Sequence, residues 1–173
     1  SMGEQPAPNA DEPVSGTMQT HRSAWNRTIQ EMKALEDELT DDGWDVVAFP
    51  AGHTGPEAPD HGDDDRFGLT HVIPGNLVEP FREAYETGSF EEYHVYQNEV
   101  AGRVFVVTLL QDSPTEQAIV IAGNYELSKS YGLVRTAVDT GEMYTHVRTL
   151  DGTYVGTFEH EDYEPLLPIK PDS

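Results

Sequence analysis

Apolar positions along the chain fall first into a helical stripe. Trp25, Ile29, Met32, Leu35 and Leu39 recur at steps of four, three, three and four, which places all five on one face of an α-helix. Ser23 is the expected N-cap and Gly43 the expected stop. Residues 44–49 then read as a short strand, and residues 69–73 as a second one closed by Pro74-Gly75. Between them, residues 50–66 carry Gly, Pro, Asp and His without periodicity and read as a long loop. Asn76 and Glu79 have capping-box spacing, and Pro80 fits a first helical turn, so a helix is expected to run to Gly88.

The second half alternates. Residues 93–100 and 103–110 flank Ala101-Gly102 as a hairpin. The near-continuous apolar run at 104–110 predicts a central strand covered on both faces. Asp112-Ser113-Pro114 is a turn before another buried strand at 118–122. Leu127, Tyr131, Val134 and Val138 then have helical spacing, ended by Gly141. Asp151-Gly152 between two alternating runs predicts a two-residue hairpin, which sets Leu150 opposite Thr153, Arg148 opposite Val155 and His146 opposite Thr157. In that register Met143, Val147, Tyr154 and Phe158 face inward, while Tyr144, His146, Arg148 and Glu159 share the other face. A Pro-bounded segment at 163–169 is expected to lie across the body.

These elements predict an α+β domain: a mainly antiparallel sheet of about six or seven strands with about three helices packed on it. The domain is expected to span residues 21–173. Residues 3–20 hold only Val14 and Met18 as large apolar side chains and are expected to form a flexible tail. Ser1 before Met2 looks like a remnant of a cleaved tag.

Charge changes the functional picture more than the fold. The chain has 173 residues, 32 acids against 10 Lys plus Arg, and a formal net charge of -22. Its sign disfavours nucleic acid as a partner. No apolar run is long enough to cross a membrane, and nothing at the start reads as a signal peptide, so a soluble cytoplasmic protein is expected. The absence of Cys excludes disulfides, a thiol nucleophile and thiolate metal sites. The longest acidic run is Asp63-Asp64-Asp65, too short for an acidic tail, and only Lys33, Lys129 and Lys170 are lysines. At molar salt the Debye length falls to about 3 Å, which removes most of the self-repulsion of such a chain. This composition, rich in Asp and Glu, poor in Lys and free of Cys, resembles that of halophilic archaeal proteins. The folded part also resembles an uncharacterised family of small haloarchaeal proteins with no assigned activity, a likeness that implies no catalytic residue.

Three clusters carry candidate chemistry. His53, His61, Asp63 and Asp65 in the long loop, with His71 beyond it, are residue types that ligate a divalent metal, although a Gly/Pro loop gives such a site little preorganisation. Tyr144, His146, Arg148 and Glu159, with His94 as a further candidate, combine acid–base groups and a guanidinium able to hold a small anion, but a solvated sheet face has the same pattern. Lys129 lies where a strand joins a helix, in Asn124–Tyr131, where backbone N–H groups can receive an anion or be capped by Asn124 or Ser128. Phosphate loops, nucleophile elbows and helical zinc motifs are missing from the sequence. No cofactor is therefore expected. The favoured reading is a non-enzymatic module that pairs with itself or a protein partner, and the alternative is a small enzyme or a ligand- or metal-binding sensor using the histidine loop or the His146/Arg148 face.

Overall fold

The computed structural model describes residues 11–58 and 67–168. Helix α1 (Asp11–Asp41) lays its stripe of Trp25, Ile29, Met32, Leu35 and Leu39 on a sheet, so the stripe packs within the chain. The helix begins at Asp11, well before Ser23, and takes in ten residues expected to be tail. Arg27 and Glu31 line a groove described below.

The sheet under α1 has the order β1-β6-β5-β4, built from β1 (Asp45–Pro50), β4 (Glu92–Val100), β5 (Arg103–Asp112) and β6 (Gln117–Glu126). A second sheet, ordered β2-β3-β7-β8, comprises β2 (Thr54–Glu57), β3 (Gly68–Val72), β7 (Met143–Arg148) and β8 (Tyr154–His160). Pairing is antiparallel except for β1 with β6 and β3 with β7. The fold is α+β, with eight described strands divided between two sheets. β2 accounts for the added strand: Thr-Gly-Pro-Glu has no alternation, and its proline is tolerated because β2 is an edge.

The two-residue period of β6 explains the layering. Ala118, Val120 and Ala122 face α1, whereas Ile119 and Ile121 face the second sheet and meet Ile73, Val147 and Phe158 there. Burial on both faces explains why this run carries no polar alternation. Helix α2 (Val78–Thr87) drives Phe81 and Ala84 into the same layer. Its first turn is preceded by a 3-10 turn at Gly75–Leu77, so Asn76 makes no cap bond and Leu77 occupies the cap position. Helix α3 (Tyr131–Thr140) buries Leu133 and Ala137, leaving Tyr131 and Val138 exposed. The expected stripe through Leu127 fails because Leu127–Lys129 is a separate 3-10 turn, which breaks the helical phase. The C-terminal segment crosses the body as expected: Leu166 is buried, and Gln97 Nε2 donates to Pro165 O and Leu167 O.

The β7–β8 hairpin departs from its expected register at one end. Thr149 N donates to Thr153 O, so Leu150, Asp151 and Gly152 form a three-residue loop, with Gly152 at φ 97°. This shifts Arg148 onto Tyr154, and an irregularity between Val147 and Arg148 then restores Val147 to Gly156 and His146 to Thr157. Tyr154 therefore turns to the His146 face, correcting its expected inward placement, while Met143, Val147 and Phe158 do face inward.

Candidate functional site

Three histidines on the second sheet are fully or almost fully buried: His71, His146 and His160. Each meets a threonine hydroxyl on a neighbouring strand. Thr54 Oγ1 lies 2.9 Å from His71 Nδ1, Thr145 Oγ1 2.8 Å from His160 Nε2, and Thr157 Oγ1 3.1 Å from His146 Nδ1. A hydroxyl can donate or accept, so it satisfies a neutral imidazole in either tautomer without stabilising an imidazolium as a carboxylate would. Burial, reinforced by the proximity of His146, pushes His71 down to about 3 and His160 down to about 4. These rings are neutral at pH 7.

Pairing parity divides the three. Thr54, His71, Thr145 and His160 face the interior between the sheets; Gly123 of β6 lies so close that a Cβ there would strike Thr54 Oγ1 and come within 3.0 Å of the His71 ring. His160 packs on Tyr93 of β4 with ring centroids 4.3 Å apart. His146 lies on the opposite face beside Thr70, its ring parallel to Tyr144 at 5.8 Å and edge-on to Tyr154 at 5.2 Å. His71 Nε2 and His160 Nδ1 have no hydrogen-bond partner among the described residues.

The structure thus places Tyr144, His146, Arg148 and Glu159 on one face, as their spacing predicts, but the His146 ring has no solvent access. Arg148 Nη1 donates to the Thr149 carbonyl at 3.3 Å. Glu159 shares a hydrogen bond with the Glu142 carboxyl, which, with that group's charge, raises its pKa. His94 is elsewhere, on β4, exposed and 3.3 Å from Glu92. Lys129 pairs with Glu126 at 3.1 Å on the surface, and neither Asn124 nor Ser128 caps α3; Ser130 Oγ donates to Leu127 O instead. Of the metal candidates, His61, Asp63 and Asp65 lie outside the described residues. Among the described residues, His53 and His71 belong to no group of three potential ligands. Sequence reasoning singled out none of Thr54, Thr70, Thr145 and His160, and it set Thr157 opposite His146 without giving it a role. The one signal of the threonines is their alternating register with apolar residues, which any strand can show.

None of these rings lines an open surface among the described residues. A cleft of about 780 Å³ runs beside α2 and β8, with Tyr85, Phe90 and Phe158 as walls and Glu91, Glu159 and Glu161 at its margin. Tyr85 OH seals the adjoining backbone of β8, donating to Thr157 O at 2.9 Å and accepting from Thr157 N at 3.1 Å. On the far side, β4 is a nine-residue edge strand that pairs only with β5 among the described residues. Between it and α1 run grooves of about 240 and 330 Å³, with Tyr96 in both, Arg27 and Phe105 in the first, and Leu35 and Val107 in the second.

A family model of unknown function, DUF7529, matches residues 11–168. The chain belongs to that family. The DUF7529 match starts at the first residue of α1, so the early helical turns belong to the shared unit. No curated protein and no solved structure matches the chain. Among the described residues, no helix is long and apolar enough to cross a membrane.

Proposed function

We propose that this protein is a non-enzymatic self-association module whose second copy adds to β4. One observation carries the reading: the open edge is self-complementary. A two-fold axis through Tyr96 sets Glu92 opposite Val100, Tyr93 opposite Glu99, His94 opposite Asn98 and Val95 opposite Gln97. No carboxylate then faces a carboxylate, an arrangement that spares like-charge repulsion across the strands. The two Tyr96 rings meet at the axis on the α1 side, and the apolar groove floored by Val107 and Leu35 lies beside them. Backbone pairing would supply affinity, and the grooves would take side chains.

The setting we infer is a salty cytoplasm. Two copies at -22 each repel strongly in dilute buffer, whereas at molar salt the repulsion is short-ranged. Dimerisation is therefore expected to strengthen with salt. Sedimentation equilibrium in about 2 M KCl, where the screening length is shortest, should give a dimer for the native chain. Tyr96→Glu, which sets two carboxylates on the axis, should weaken it at least about tenfold. A native chain that stays monomeric in molar salt, or a Tyr96→Glu dimer of unchanged affinity, would overturn the proposal.

A further inference from the structure

We infer that the pocket between the N-terminal half of α1 and the start of β5 binds a small organic anion: a carboxylate or phosphate carried on a flat apolar body. The pocket measures about 300 Å³. That is the lower end of the range for small-molecule sites. Its cations are Arg22 on α1 and Arg103 on β5, and its apolar wall is formed by Met18, Trp25 and Phe105.

The guanidinium of Arg103 is held in place without being neutralised. Its Nε donates to Asn124 Oδ1 at 2.6 Å, an amide and not a carboxylate. Glu126, the residue opposite Arg103 in β6, instead bonds Lys129 at 3.1 Å. Neither Arg22 nor Arg103 has a salt bridge to a carboxylate among the described residues. In a chain with 32 acids and only 10 Lys plus Arg, two arginines lining one pocket without an acid partner among the described residues form a local concentration of positive charge. His21 Nε2 donates to Ala101 O at 3.1 Å, which fixes the turn of α1 that carries Arg22.

The chemistry of the ligand follows from the walls. A guanidinium whose Nε is occupied keeps its two terminal nitrogens to offer to oxygens, and carboxylate and phosphate match their planar geometry. Trp25 and Phe105 favour a flat apolar group behind the acid. The site does not depend on pairing through β4, because no β4 residue lines it.

Trp25 reports the test directly. In a Trp44→Phe background it is the sole tryptophan, and its emission can be followed during titration with benzoate, phenyl phosphate, inorganic phosphate or neutral benzamide at fixed ionic strength. The expected result is a saturable change with benzoate or phenyl phosphate at about millimolar Kd, and none with benzamide. The tighter of the two names the acid group. Arg103→Gln and Arg22→Gln should each weaken binding about tenfold, with Tm unchanged for the exposed Arg22 variant. A response that does not saturate, that benzamide reproduces, or that survives both arginine substitutions would overturn the assignment.

Discussion

Lowering the pH from 7 to 5 in molar salt should cost this protein up to about 4 kcal/mol through His71 and His160. In the fold these rings protonate only near about 3 and about 4, against an ordinary value of 6.5, because burial penalises the charged form. Well above 6.5 neither the folded nor the unfolded chain holds these protons, so the stabilisation is complete. As the pH falls below 6.5 the unfolded chain takes up protons that the fold refuses, and stability declines until the folded values are reached. Each ring contributes a slope of about 1.4 kcal/mol per pH unit, and 1.5 units below 6.5 give about 2 kcal/mol apiece. That is a large share of the 5–15 kcal/mol typical of a domain. Two effects oppose it. Acidification relieves acid–acid repulsion, which molar KCl suppresses in advance. Glu159, held above the ordinary carboxylate range by Glu142, takes up its proton more readily in the fold than in the unfolded chain. Urea unfolding in about 2 M KCl, which shortens the screening length, should show the loss between pH 7 and 5. Ring NMR of the native protein should show at least two histidines that do not titrate in that range. Equal stability at the two pH values, or every ring titrating near 6.5, would refute the reasoning.

Gly123→Ala should cost about 1–3 kcal/mol by overpacking, because its new methyl strikes Thr54 Oγ1 and crowds His71; a lower urea midpoint is the readout. Tyr85→Phe strips two hydrogen bonds from the Thr157 backbone and should lower stability by about 1–3 kcal/mol in the same assay. Tm should climb steeply between about 0.1 and 2 M KCl as screening becomes short-ranged. A flat response would remove salt adaptation as the meaning of the charge.

The parts of this fold legible in the sequence were those whose two faces differ or are equally buried. The α1 stripe, the doubly covered β5 and β6 runs, and the Ala101-Gly102 hairpin lie where spacing put them, because tertiary packing there uses the local period. β2 was illegible because four residues containing Gly and Pro become a strand only when β3 offers its edge. The start of α1 was hidden because residues 11–20 hold little that is apolar, and Met18 is exposed in the helix. Tyr154 was assigned to the wrong face because a loop one residue longer than Asp-Gly chemistry favours reverses the pleat. The grouping of Tyr144 with His146 was readable, whereas its burial was not: polar residue types read as solvated, and threonine partners that make burial tolerable leave no distinctive spacing.

The irregularity at Val155 gives the hairpin the property of a slip coupling. The loop at 150–152 runs in one register, the body of the strands in another, and a single residue takes up the difference. A one-residue change in loop length can therefore be absorbed between Tyr154 and Gly156 before it reaches the Thr157–His146 pair. The tip of the hairpin can change length by a residue while His146 keeps its threonine partner.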